Sequence, residues 1–457
     1  MPSRPHLLAA LLSSVALCTS VSARETVLVI GDSLSREYQF EFAGFEEARN
    51  WVELLAIHRP DDFDFGPLES SDLGALARIC DFFSPNDAVC DAIGSDGELE
   101  RYRYNWAIPT YSAEDYAGDL TGSGPFPTLI QDLIDDDFDD VDSVVVFIGG
   151  NDIDRVYGSI YNGNSSAADA IVASLESDLE DIIDFVLDDT PTMRMVLVNV
   201  PHVGATPEVK GSHPNDPVKT ARVTSTLQRL DSNLRALASR KGIAYADILG
   251  LTIDLLPDEP FCLGGVPFIN QGSDSGDPLY LWLGGDLSQN FHPNTNGQAI
   301  VANAIISAYN ETYGLEVSPF SDSEIVESLL GLQTPLSEWA ESFGLAPDER
   351  QPDDDPERDG LDNLIEFALG LDPSTPSKLP AAIQINGGLE YEYQLAPLAC
   401  DQIVTIPEYS QDLIHWQPVP EENISPLPDN RFRVSLTAPP QMRYLRLKFE
   451  FRASGSP

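Results

Sequence analysis

The stretch Val27-Leu28-Val29-Ile30-Gly31-Asp32-Ser33-Leu34-Ser35 runs four branched apolar residues straight into glycine, an acid and two serines. An apolar run bounded by turn residues reads as a strand buried on both faces, the habit of parallel sheets. The serine then stands at the C-terminal end of that strand on a tight glycine turn. Its hydroxyl is exposed there, with backbone N–H groups nearby, at the place where open α/β sheets meet ligands. The pattern returns at Val144–Ile148, Met195–Val200 and Ile243–Ile248. Helical stretches lie between, at Ala167–Leu187 and Lys219–Lys241, and the last is Thr295–Tyr309, with Val301, Ala304, Ile305 and Ala308 on one face. Strand and helix alternating from Glu25 to about Gly314 predict an α/β fold, a three-layer α/β/α domain around a parallel sheet. Residues 58–125, rich in Asp, Gly and Pro and holding Cys80 and Cys90, predict an irregular insertion.

A second composition begins near Ser318. Leu336–Leu345 reads as a short amphipathic helix, followed by the acidic run Asp348–Asp359 and by Leu361–Leu371. From Ser377 the period becomes two: Leu445, Leu447, Phe449 and Phe451 alternate with Arg446, Lys448, Glu450 and Arg452. With Leu389–Leu395, Ile403–Tyr409 and Arg431–Leu436 this predicts a small all-β, sandwich-like domain. The expected division is an α/β domain at 24–315, a linker at 316–376 and the β domain at 377–457.

The first 23 residues have the features of a signal peptide: Arg4, the mostly apolar Leu7–Cys18, and the small-residue site Val21-Ser22-Ala23. The apolar run is too short to span a bilayer, so a secreted or periplasmic protein is expected. The charge of −48, from 74 acidic and 26 basic residues, repels phosphate backbones and argues against nucleic acid as a partner. It also attracts multivalent cations. After removal of Cys18 four cysteines remain, Cys80, Cys90, Cys262 and Cys400. They allow three disulfide connectivities or buried thiols, and the sequence does not separate these.

A serine is a weak nucleophile until a base takes its proton, so Ser33 needs a histidine. Three further blocks carry polar residues at strand or helix ends: Gly149-Gly150-Asn151-Asp152, Pro201-His202-Val203-Gly204, and Phe291-His292-Pro293-Asn294 before the last helix. Together with Gly31-Asp32-Ser33-Leu34 they resemble, in order, the blocks of the GDSL (SGNH) hydrolases over roughly residues 25–312. The resemblance implies that Ser33 attacks an ester carbonyl and that His292 accepts and returns the proton. It implies an oxyanion hole from the Ser33 N–H, the Asn151 side-chain amide and a glycine N–H a few residues after an Asn. Asn105-Trp106-Ala107-Ile108-Pro109-Thr110 aligns best with that last block, placing Thr110 where the family has glycine.

His213 is also followed by Pro and Asn, but it lies well before the last helix. His58, His202 and His415 lack any matching context and are expected at the surface or in packing. The family's acid stands three residues before the histidine, where this chain has Gln289. Gln289 can fix the imidazole tautomer but cannot offer full charge to the imidazolium. Asp286 can take the role if the loop bulges, and a Ser–His dyad is the other arrangement.

Asp355, Glu357, Asp359, Leu361, Asn363 and Glu366 occupy positions one, three, five, seven, nine and twelve of an EF-hand-type loop, with Gly360 at six. This spacing, which resembles short calcium repeats of exported bacterial proteins, predicts structural calcium; a solvated acidic linker is the other reading. No cofactor is expected for catalysis. Tyr409–Trp416 resembles part of a small C-terminal module of secreted proteins, in which Trp416 either stacks on sugar or fills a core. The expected function is a secreted serine esterase acting on short-chain acyl esters or acetylated glycans. The alternatives are an acyltransferase using the same site and a binding or adhesion protein whose site has decayed.

Overall fold

The computed structural model describes residues 24–38, 45, 47–71, 99–124, 138–284, 289–379, 383–385, 388–396, 403–436 and 444–451. The signal peptide, Cys18, Cys80, Cys90, Cys400 and Asp286 lie outside these residues, as does the side chain of Gln289.

The first sheet contains β1 (Glu25–Gly31), β2 (Phe63–Asp64), β5 (Ser143–Phe147), β6 (Arg194–Val198) and β7 (Ala244–Ala246). They run parallel in the order β2-β1-β5-β6-β7. β1 shows why a run of branched residues makes this sheet. Leu28 and Ile30 enter one core, Val27 and Val29 the other, and all four are buried. Each such side chain contributes about 1.5–3 kcal/mol relative to exposure.

Helices α2 (Ala113–Thr121), α3 (Gly150–Tyr161), α4 (Ser165–Asp189) and α5 (Pro217–Lys241) cover the first face. Helices α1 (Trp51–His58) and α6 (Thr295–Tyr313) cover the second. The three layers are those expected. Because β2 lies on one side of β1 and β5 on the other, the strand order reverses at β1, and its C-terminal end borders the crevice where such sheets bind ligands.

The stretch expected to be an irregular insertion holds regular structure at both ends. β2 extends the parallel sheet, and β3 (Leu68–Ser71) pairs antiparallel with β4 (Leu99–Tyr102). Residues 104–108 then lie along β1: the Val29 N–H donates to the Tyr104 carbonyl, the Trp106 N–H to Val29 and the Ile108 N–H to Gly31. The segment Tyr104–Ile108 is too short and mixed to read as a strand, with Asn105 in it and Pro109 directly after it, and only one of its edges pairs.

A three-stranded sheet of β8 (Phe261–Leu263), β9 (Val266–Ser273) and β10 (Tyr280–Leu283) precedes α6; the sequence reading did not foresee it. Beyond it, α7 (Pro335–Ser342) and α8 (Asn363–Leu369) pack with two antiparallel sheets. One has the order β11 (Ile383–Ile385), β12 (Gly388–Gln394), β16 (Arg431–Leu436), β15 (Ile424–Leu427). The other has the order β14 (Trp416–Pro418), β13 (Ile403–Ser410), β17 (Tyr444–Phe451). Along β17 the Leu445, Leu447, Phe449 and Phe451 side chains turn inward and the residues between them are exposed, as the period of two requires. Trp416 is half-buried with the Arg446 guanidinium 4.2 Å from its ring centre, so neither the core nor the bare sugar platform describes it.

Candidate active site

At the end of β1 the chain turns at once. The Leu34 N–H donates to the Asp32 carboxylate at 2.9 Å, and the Ser35 N–H to the Asp32 carbonyl at 3.0 Å. Ser33 is thereby lifted half into solvent while Asp32, Leu34 and Ser35 stay buried. Gly31 is required by crowding, since a Cβ there would lie 2.8 Å from Ser35 Oγ and 3.0 Å from the Phe147 carbonyl oxygen.

His292 brings Nε2 to 2.8 Å from Ser33 Oγ, within the reach a general base needs. Its backbone is held like a strand edge: the Leu283 N–H donates to the His292 carbonyl at 3.0 Å, and the Asn294 N–H to Leu281 at 2.8 Å. Asn294 then caps α6. The rings of Tyr38 and Phe291 stand edge-on to the imidazole at 6.0 and 5.9 Å. With Nε2 committed to Ser33, Nδ1 is the atom that the third member must face. Asp286 lies outside the described residues, and Gln289 begins the short turn Gln289–Phe291 that leads into His292.

Asn151 and Thr110 come from opposite sides of β1. Asn151 is in the first turn of α3, entered through Gly149 at φ 119°, where a Cβ would meet Val200 Cγ2 at 2.9 Å. One N–H of its side-chain amide donates to the Tyr111 carbonyl at 2.8 Å, which leaves the other for a ligand. Thr110 has φ 67°, the left-handed region that glycine enters freely and a β-branched residue enters only under strain. Thr110 therefore stands in a conformation that would suit the expected glycine better than a threonine. Arg155 donates to the Thr110 carbonyl at 3.2 Å, and Asn105 anchors the start of the segment by donating to the Ser35 carbonyl at 2.8 Å.

Two buried acids lie beneath the nucleophile turn. Burial raises the Asp32 carboxyl to about 7, the Leu34 N–H opposes this, and the nearby Asp152 charge adds to it. Burial also raises Asp152, against the pull of the Ala113 N–H, which it accepts at 3.0 Å. Asp152 thus ties the start of α2 to α3.

The other histidines stand apart from Ser33. His213 packs on Tyr157 and Tyr161 at 5.4 and 5.3 Å. His202 is fully buried and its ring meets Thr224 Oγ1 at 3.1 Å. His58 and His415 are exposed. In the acidic loop, Asp355, Glu357 and Asp359 bring ligand oxygens within 4.8 Å of one another, and Asn363 and Glu366 are fully buried.

The family model of GDSL-like lipases and acylhydrolases matches residues 27–305, the span that holds Ser33, Asn151 and His292. This chain belongs to that family. It is a hydrolase of ester bonds on the GDSL fold. Among solved structures, this GDSL hydrolase is similar to an extracellular lipase from Streptomyces rimosus, at 13% identity over 62% of this chain and 99% of that one, with a TM-score of 0.32. It is similar to phospholipase A1 from Streptomyces albidoflavus NA297 at 15% identity, over 64% and 100%, with a TM-score of 0.34. A third is LAE5, an alpha/beta hydrolase enzyme from the metagenome of Lake Arreo, at 15% identity, over 65% and 98%, with a TM-score of 0.29. No curated protein matches the chain.

Sequence reasoning missed the parts that position this GDSL site: the Tyr111 carbonyl that orients Asn151, the Asp32–Asp152 pair and the aromatic edges on His292. Asp32 and Asp152 were in view inside their motifs. Tyr38 carries no local signal, because only the folded chain brings it to a histidine 254 positions away.

Proposed function

We propose that this GDSL hydrolase is a secreted serine esterase working through an acyl-enzyme on Ser33. The observation that carries this reading is the 2.8 Å approach of His292 Nε2 to Ser33 Oγ at the end of β1. In the first step Ser33 Oγ attacks the ester carbonyl carbon and its proton passes to His292 Nε2. The oxyanion is received by the Ser33 N–H, the remaining Asn151 amide N–H and the Thr110 N–H. Collapse breaks the bond to the alcohol oxygen, which takes the proton from His292. Water then repeats the sequence and frees the acid.

The substrate class is an ester of a short, apolar acyl group. Leu34, Phe291 and Pro293, each next in sequence to a catalytic residue, line a cavity continued by Phe147, Trp282 and Ile300. Ser33 and His292 do not themselves line this cavity, which flanks the site through their neighbours; its walls are almost wholly apolar, which favours a hydrocarbon acyl group over the hydroxyl-rich ring of an acetylated glycan. Secretion rests on the N-terminal pattern of Arg4, Leu7–Cys18 and Val21-Ser22-Ala23. Among the described residues no helix is long and apolar enough to cross a membrane.

Rapid-quench kinetics with p-nitrophenyl acetate tests the reading. The expected result is steady release of nitrophenol, with a quenched fraction of the protein heavier by one acetyl group on Ser33. Steady release without any acylated Ser33 would contradict it.

A further inference from the structure

Five buried oxygen atoms in the acidic loop and the first turn of α8 meet no N–H or hydroxyl donor: both carboxylate oxygens of Glu357, both of Glu366, and Oδ1 of Asn363; the Glu357 and Glu366 carboxylates lie against one another. Glu366 and Asn363 are 0% exposed. A solvated acidic linker would leave these side chains in water, and the full burial of Glu366 and Asn363 speaks for a calcium site instead. The Asn363 oxygen is oriented by its own amide, whose Nδ2 donates to the carbonyls of Glu349 at 2.9 Å and Gln351 at 2.8 Å. Among the described residues, no Lys or Arg forms an ion pair with Asp355, Glu357, Asp359 or Glu366. Unpaired buried carboxylates are among the costliest groups a protein can hold.

The surrounding loop is wound to face these oxygens. Asp355 accepts the Asp359 N–H at 3.1 Å and the Gly360 N–H at 2.9 Å, and Asp359 accepts the Leu361 N–H at 2.8 Å. Gly360, at φ 93°, makes the sharp turn at position six. Asp355, Glu357 and Asp359 approach within 4.8 Å of one another. Oxygen donors only, six to eight of them, with a carboxylate at position twelve able to give two at once, are what calcium takes.

We propose that residues 355–366 form a calcium site, with side-chain oxygens from Asp355, Glu357, Asp359, Asn363 and Glu366 and the carbonyl of Leu361. The ion fixes α8 to the β region. Phe367 and Ala368 of α8 lie in the core shared by both antiparallel sheets, and the Ala368 carbonyl accepts the Ala396 N–H at 2.9 Å just past β12. Calcium is structural here, and the ester chemistry at Ser33 does not use it.

The experiment is calorimetric titration of calcium chloride into the full-length protein after chelation, with limited proteolysis in parallel. One site per chain is expected, with a dissociation constant of about 0.1–1 mM, the range of extracellular modules, together with slower cleavage between residues 343 and 379. Glu366→Gln should weaken binding at least about tenfold, because position twelve supplies two oxygens. Glu357→Gln, at a different position of the same shell, should weaken it too. Magnesium should bind at least about tenfold more weakly, since it demands a tighter six-oxygen shell. Diffuse binding of many ions that neither substitution changes would overturn the proposal, as would the absence of binding or equal affinity for magnesium.

Discussion

Replacing Thr110 by glycine tests whether this residue is a strained stand-in at the oxyanion loop. Thr110 sits at φ 67°, and holding a non-glycine residue in that region costs roughly 1–3 kcal/mol. The surroundings enforce it. Arg155 holds the Thr110 carbonyl and Asn151 the Tyr111 carbonyl, while Ile108 is pinned to Gly31 by a 3.0 Å backbone bond. Glycine removes the strain but loses about 0.5–1 kcal/mol more to chain entropy on folding. The net is a gain of about 1 kcal/mol, which in a domain of this size raises the melting temperature by about 1.5–2 °C. Calorimetry of the full chain reads the shift, with kcat measured beside it. Because Thr110→Gly keeps the N–H at 110, kcat should stay within about threefold of the parent, far from the hundredfold cost of a lost oxyanion donor. Thr110→Ala keeps the Cβ and should bring little of the gain. A fall in melting temperature for the glycine variant, or a loss of more than about tenfold in kcat, would refute the assignment.

If Asp286 faces His292 Nδ1, Asp286→Asn should cut kcat by about three to four decades while Gln289→Ala is nearly silent; steady-state kinetics on both variants decides, and the reverse pattern gives the role to Gln289. Stability should fall as pH rises from about 4 to about 7. Burial raises Asp32 and Glu53 each to about 7 in the folded chain, so the native state binds more protons than the unfolded one across that window, and their contribution is lost as pH climbs through the folded value. For Asp32 the rise from 3.8 to about 7 corresponds to up to about 4 kcal/mol, and Asp32→Asn should flatten the dependence in equilibrium denaturation at pH 5 and pH 8. An unchanged slope would contradict that.

The layered fold was legible because its strands are buried on both faces, so that Val27–Ile30 and Val144–Phe147 appear as unbroken apolar runs. Ser33 and His292 were legible because each lies at the junction of a regular element with a turn, where spacing along the chain carries geometry. Residues 104–108 were not, because one-sided pairing with β1 needs no apolar run. The β8–β10 sheet was missed because its signals are short and mixed: Tyr280–Leu283 is an apolar run of only four residues, and in β9 the inward positions include Asn270 while Pro267 and Ile269 face out. At Thr110 the motif spacing gave the position, but the positive φ that would suit a glycine there belongs to the folded backbone alone.

The most direct test of Ser33 and His292 as a working pair is labelling with a fluorophosphonate, followed by intact-mass and peptide-mass measurement. The account predicts one adduct per chain, on Ser33, absent from Ser33→Ala and formed far more slowly in His292→Ala, with both variants still folded. An adduct on any other serine, or labelling of Ser33 that proceeds unchanged without the imidazole, would contradict it.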